Sequence, residues 1–220
     1  MSGAVATAAV RISAREISHR FGPRVAVRAV SFDVSSPGVV AVTGENGSGK
    51  STLLRILSGL LRPSRGECTF EVGGRAIEPR RRRLFTGLAT PELSFYEEFT
   101  AAENLAFAAE TRGLPNPADA VRHALAEVGL TPRADDRVSA FSSGMKQRLR
   151  LAFAILHQPA VLMLDEPGSH LDDAGRAVVE HIVQTHAPRA LVLVATNEPR
   201  EIQLAERRIE LSGRGLERSS

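Results

Sequence analysis

Only one cysteine, Cys68, occurs in the 220 residues, so neither an internal disulfide nor a cysteine-rich zinc site can form. A lone thiol of this kind is expected as a buried small hydrophobe. Long apolar runs are missing too. The longest stretch free of charge, residues 151–164, has 14 residues and is interrupted by His157, Gln158 and Pro159. A membrane-spanning helix needs ~20 mostly apolar residues, so no span is expected. Met1 to Val10 lack the charged start and long apolar core of a secretory signal, which argues against export. Lysine is scarce: of 28 Lys plus Arg, only Lys50 and Lys146 are lysine. What remains is an ordinary globular balance, 43% apolar and 24% charged, which excludes wholesale disorder and fits one or two domains. The net charge is +3. Its only dense run, Arg80 to Arg83, has no interleaved aromatics and reads as a solvated turn, so no nucleic-acid partner is expected.

Three short Val- and Leu-rich runs, residues 39–42, 161–164 and 191–195, look like buried parallel strands. Alternating strands are expected over 10–17, 27–34 and 67–77. Leu53, Leu54, Leu57, Leu60 and Leu61 fall on one helical face, predicting a helix over 51–61. A second helix is expected after Asn116-Pro117, with Val121, Leu125 and Val128 inward and a stop at Gly129. A third covers 146–156. Residues 90–138 read mainly helical, between flanks that alternate strand and helix. The fold class expected is α/β, with a helical insertion.

The strongest local signal is Gly44-Glu45-Asn46-Gly47-Ser48-Gly49-Lys50-Ser51, followed by Thr52. It has the G-x-x-x-x-G-K-[ST] spacing, after a predicted strand and opening an amphipathic helix. Glycines let backbone N–H groups wrap a phosphate where a Cβ would obstruct the turn. Lys50 supplies a mobile charge for β- and γ-phosphates, the Ser51 hydroxyl suits Mg²⁺, and the helix dipole points the same way. The run 161–164 ends in Asp165-Glu166-Pro167. Taken alone, these acids fit a solvated strand end equally well. Beside a phosphate loop, Asp165 reads as an Mg²⁺ ligand acting through water and Glu166 as a general base on an attacking water.

With these motifs in place, the chain resembles the ATP-binding subunits of ABC transporters over most of its length. Ser142, Ser143 and Gly144, within Phe141-Ser142-Ser143-Gly144-Met145-Lys146-Gln147-Arg148, are similar to the family signature, usually L-S-G-G-Q. Asp172, in Gly168-Ser169-His170-Leu171-Asp172, matches the acid of the loop that follows the catalytic pair. Phe21 stands where the family carries an aromatic that stacks on adenine. Without the other motifs, residues 142–144 would read as a helix cap, and Phe21 as a core aromatic. The resemblance implies a P-loop ATPase core with a mostly parallel sheet (1–88 and 145–220). It also implies an N-terminal antiparallel β-subdomain and an inserted α-helical subdomain (89–144). ATP and Mg²⁺ would sit in a head-to-tail homodimer, or a heterodimer with a related subunit, between one chain's phosphate loop and the other's signature. An integral membrane permease would be the partner, at the cytoplasmic face of the cell membrane, and export the expected work. Haem or cytochrome c biogenesis exporters and polymer or drug exporters come first as analogues.

Two departures touch catalysis. Aligned on Glu103-Asn104-Leu105, the family's glutamine, which contacts Mg²⁺ or the attacking water, falls at Pro91, with Glu92 or Thr90 beside it as candidate stand-ins. The family's histidine after the third strand is replaced by Asn197, which can donate a hydrogen bond but carries no proton near neutral pH. The signature form with Ser143 and Met145 reads as a mark of export-associated subunits. Two alternatives remain: a hydrolysis-impaired regulatory subunit, and a non-transport relative working on ribosomes or DNA.

Overall fold

The computed structural model describes residues 8–211; residues 1–7 and 212–220, which hold most of the segment expected to lack an export signal, lie outside it. Alternating burial builds the first sheet. β1 (Val10–Phe21) turns Val10, Ile12, Ala14 and Ile17 inward and pairs antiparallel with β2 (Arg24–Ser35). β3 (Gly38–Thr43) is buried at every position, as a parallel strand covered on both faces must be. α1 (Lys50–Leu57) follows. β4 (Arg65–Val72) and β5 (Arg75–Ala76) complete the antiparallel sheet in the order β2-β1-β4-β5. Next come β6 (Thr86–Ala89), α2 (Ala101–Thr111), α3 (Pro117–Glu127) and α4 (Ser143–Ile155). β7 (Val161–Asp165), α5 (Asp173–His186), β8 (Leu191–Ala195), α6 (Pro199–Gln203) and β9 (Arg207–Glu210) close the described chain. The second sheet is parallel and ordered β6-β7-β8-β3-β9.

The period of two along its strands sends alternate residues to two cores. Val40, Val42, Met163 and Leu193 meet α1 and the antiparallel sheet through Leu53, Leu54, Leu57, Ile12 and Phe70. Val39, Leu162, Leu164, Val192 and Val194 meet α4, α5 and the inserted helices. The three expected parallel strands are all present, and Val121, Leu125 and Val128 are buried as expected. The first helix is shorter than predicted. It stops at Leu57 because Gly59 turns left-handed (φ 81°), which leaves Leu60 67% exposed rather than on the apolar face. α4 starts earlier than expected because Ser142 caps it, its Oγ accepting from Met145 N at 3.2 Å. α2 has a full capping box between Thr100 and Glu103. β6 was not foreseen: Thr86-Gly87-Leu88-Ala89 has no branched apolar run. Among the described residues no helix is long and apolar enough to cross a membrane.

The run 80–83 is not simply a solvated turn. It lies in a 3-10 helix (Pro79–Leu84), and Arg82 is only 4% exposed. Its guanidinium donates to the carbonyls of Ile56 (3.3 Å) and Leu57 (3.2 Å), at the negative end of α1, and to Cys68 O (2.6 Å). It also reaches Cys68 Sγ at 3.3 Å, so the half-buried thiol is a hydrogen-bond partner as well as a hydrophobe. Burial pushes the Cys68 thiol pKa up, against the opposing charge of Arg82. Arg82→Ala is expected to cost about 2–4 kcal/mol in urea unfolding, because three carbonyls lose a charged donor. Arg80→Ala, on the exposed face, should stay within about 0.5 kcal/mol.

Candidate functional site

The C-terminal ends of β7, β8 and β3 lie side by side, the place where open parallel sheets present ligand sites. β3 leads into the loop 44–49. There Ser48 N donates to Glu45 O (2.9 Å), and Lys50 Nζ donates to Gly44 O (2.8 Å) from a side chain only 5% exposed. Gly49 caps α1 at φ 102° with no side-chain cap, so first-turn N–H groups of α1 are left for an anion. A Cβ on Gly49 would collide with the Ala26 carbonyl. The Ser48 hydroxyl is buried with no hydrogen-bond partner among the described residues.

This loop opens on a cavity of about 350 Å³ that also holds Phe21, Ser51, Thr52, Arg55, Glu92 and Glu166. Phe21 is half-exposed and stacks edge-on against His19 (4.6 Å between ring centres). That leaves a ring face for a flat partner.

Asp165 ends β7 and is 1% exposed, yet neither carboxylate oxygen makes a hydrogen bond of normal geometry. Burial raises its pKa above the ordinary carboxylate value. Glu92 and Glu166 add to the rise, while the Ser51 hydroxyl and Arg55 oppose it. A buried acid with unpartnered oxygens beside the Ser51 hydroxyl is what a hard divalent cation satisfies; Glu92 and Glu166 act on it through space, and no three acids cluster as a metal site among the described residues. Glu166 follows in a left-handed turn (φ 47°), its N–H donating to Ala195 O at 2.8 Å, so its carboxylate leaves the strand and stays exposed.

Asn197, just past β8, braces the phosphate loop. Its Oδ1 accepts from Gly44 N (3.3 Å) and its Nδ2 donates to Asn46 Oδ1 (3.4 Å). Where the resemblance expects a glutamine, Pro91 stays outside the cavity lining and Glu92 enters it, paired with Arg55 of α1 at 2.6 Å. Burial alone would raise the Glu92 carboxyl. Its backbone hydrogen bond and the Arg55 guanidinium outweigh that and hold it below the ordinary value.

Phe21, the loop 44–49, Lys50, Ser51, Asp165, Glu166 and Asn197 therefore converge within one chain. The signature does not join them: Ser142, Ser143 and Gly144 are absent from that cavity's lining, at the outward N-terminus of α4. Asp172 lies apart too, its Oδ1 accepting from Gly175 N (2.8 Å) as the cap of α5.

Tertiary folding assigns roles that no motif announced. Gln147 Nε2 donates to Pro167 O (3.0 Å), pinning the turn after Glu166. Arg150 bonds Gln147 Oε1 (3.0 Å) and Leu93 O (2.9 Å), which ties that turn to the Glu92 segment. Lys146, the second lysine, pairs with Glu97 at 2.6 Å and fastens the start of α4 to the segment before α2.

Comparison with known proteins agrees with this geometry. The family model described as ABC transporter matches residues 27–169. The linearmycin resistance ATP-binding protein LnrL of Bacillus subtilis is 32% identical over 93% of this chain and 67% of its own length. A putative ABC transporter ATP-binding protein of Halobacterium salinarum is 37% identical over 89% of this chain and 87% of its own. Other relatives are named as import proteins and as export proteins. A dimeric post-hydrolysis ATP-binding cassette bound to ADP and Pi superposes with a TM-score of 0.80 at 19% identity. That match covers 93% of this chain and 97% of the other, and it shows the shared fold. The family model spans more than half of the chain, and the chain belongs to the ABC transporter family as an ATP-binding subunit of the ABC ATPase type.

Proposed function

We propose that this chain is the motor of a transporter. It binds Mg-ATP between two copies, or between itself and a related subunit, and hydrolyses it to drive a separate membrane permease. The observation that carries this reading is the split site: a complete phosphate and acid half faces open space, while the signature lies elsewhere on the surface. A head-to-tail pair would bring residues 142–144 of one copy to the phosphates held by the other, with helix N–H groups of α4 completing the anion cradle. Asp172 would lie beside that seam.

Within one half, the loop N–H groups and Lys50 hold the β- and γ-phosphates, and Phe21 takes the adenine face. Ser51, and Asp165 through water, would hold Mg²⁺, which would supply neutralisation of phosphate charge. Glu166 draws a proton from the attacking water as the water oxygen bonds the γ-phosphorus and the bond to ADP breaks. Glu92 lines the same cavity, with Arg55 offsetting its charge against the phosphates.

The surface that meets the permease lies near residues 90–105, where the core joins the helical insertion. Leu84, Tyr96 and Phe107 stand more than half exposed around a cavity of about 430 Å³ that Phe95 and Phe153 also line. An apolar groove rimmed by Arg83 and Arg112 suits a short helical segment of a membrane protein at the cytoplasmic face. Export is the direction suggested by the Ser-Ser-Gly-Met signature. The run 80–83 loses one charge into the core at Arg82, which weighs against a nucleic-acid role.

The test is ATP turnover by the purified chain, alone and in vesicles with a candidate membrane permease. Turnover that needs Mg²⁺, vanishes with a chelator and rises severalfold with permease supports the motor. Tight ATP binding with no turnover in either setting would favour the regulatory reading, which rests on Pro91 and on the committed amide of Asn197.

A further inference from the structure

A second cavity, of about 320 Å³, adjoins the first across Glu166. Asn46, His170, Arg176, Asn197 and Glu201 form its other walls. It therefore lies between the phosphate loop and the turn that follows the proposed general base.

Its floor is unusual. Glu201 of α6 is 5% exposed, and its Oε2 has no hydrogen-bond partner among the described residues. Burial raises the pKa of that carboxyl, against the Thr196 hydroxyl and the Gly168 backbone. Its other oxygen sits where a side chain on Gly168 would be. Arg176 Nε is likewise buried and without a partner among the described residues. Glu201 thus clamps the start of the loop 168–172 against α6.

The rest of that loop is also held. Ser169 N donates to Glu166 O (3.1 Å), Leu171 N to Gly168 O (3.3 Å), and Asp172 is fixed as the cap of α5. His170 sits at the crest, exposed, in a left-handed conformation (φ 63°). A histidine in that region is uncommon and persists where its surroundings determine it.

The amide at position 197 is already spent. Both its ends brace the phosphate loop, on Gly44 N and on Asn46 Oδ1. The cavity still contains one imidazole, and an imidazole donates a hydrogen bond whether neutral or charged.

We propose that His170 is a catalytic residue of this chain: from the loop after Glu166 it donates a ring N–H to a γ-phosphate oxygen, the contact that Asn197 does not supply. Two residues share the work. Asn197 shapes the phosphate loop, and His170 stabilises charge that grows on the phosphate as the bond to ADP breaks. This rests on the hydrolysis proposed above.

The experiment uses the full chain. His170→Asn is the substitution of choice because asparagine tolerates a left-handed backbone. Single-turnover hydrolysis should fall about 10- to 100-fold, while ATP affinity stays within about twofold, since the loop and Lys50 are untouched. In Glu166→Gln protein, ring-nitrogen NMR signals of His170 should move on addition of Mg-ATP while those of His123 on α3 stay. An unchanged single-turnover rate in His170→Asn, or a His170 signal indifferent to ATP, overturns the assignment. Absence of turnover in the unsubstituted chain, with permease present, overturns the motor reading itself and this one with it.

Discussion

Lys50→Ala is expected to weaken ATP binding by about 10²- to 10³-fold. Isothermal titration of ATP into the purified chain would read it. The magnitude follows from the site. The ammonium is 5% exposed and rests on Gly44 O at 2.8 Å, so it is already desolvated and aimed across the loop. Removing one member of a buried, hydrogen-bonded charge pair costs about 2–5 kcal/mol. The fold should survive, because α1 is held by Leu53, Leu54, Ile56 and Leu57 rather than by Lys50. Lys50→Arg should recover little. A planar guanidinium needs more room than the loop 44–49 leaves and delivers its donors in a fixed fork rather than as a compact charge. Unchanged affinity in Lys50→Ala would show that ATP sits elsewhere, and the assignment of the phosphate loop would fall.

That lysine was legible because its motif is local. Eight consecutive residues carry the loop, and the run 39–42 before it and Leu53 and Leu54 after it declare strand and helix. Asp165 and Glu166 were legible for the same reason, at the end of a run whose four apolar residues are all buried. Features that depend on distant chain were not. β6 has only Leu88 as a large apolar residue and becomes a strand through its parallel partner β7. Leu60 fits the helical face by spacing, but Gly59 had already ended the helix. Arg82 looks like its neighbours in a cationic run, and only the carbonyls that end α1 and the Cys68 carbonyl within β4 make it different. At the glutamine position the sequence offers Glu92 or Thr90 in place of Pro91; the choice of Glu92 comes from Arg55, which meets it across 37 positions of sequence at the cavity wall. Arg150 and Gln147 then tie the Glu92 segment to the turn after Glu166, a link between stretches far apart in sequence.

Glu166→Gln is expected to slow ATP hydrolysis about 10²- to 10⁴-fold, the range that a positioned general base contributes, while leaving ATP bound. The change is nearly isosteric and touches no packing: Glu166 is exposed, and its structural bond is the backbone N–H to Ala195 O. Unfolding should therefore be unaltered. Because the negative charge disappears beside Asp165 and Glu92, the site also becomes less repulsive to a triphosphate, so ATP affinity should hold or rise. Trapped ATP has a visible consequence. If the signature of a second copy completes the cradle, Mg-ATP should convert Glu166→Gln protein to a dimer in size-exclusion chromatography, and ADP should not. Adding Ser142→Ala to Glu166→Gln should lower the dimer fraction, because the hydroxyl that caps α4 at its outward end is lost. Equal turnover in Glu166→Gln and unsubstituted protein would remove the catalytic step from the proposed motor. A monomer in saturating Mg-ATP would remove its head-to-tail site.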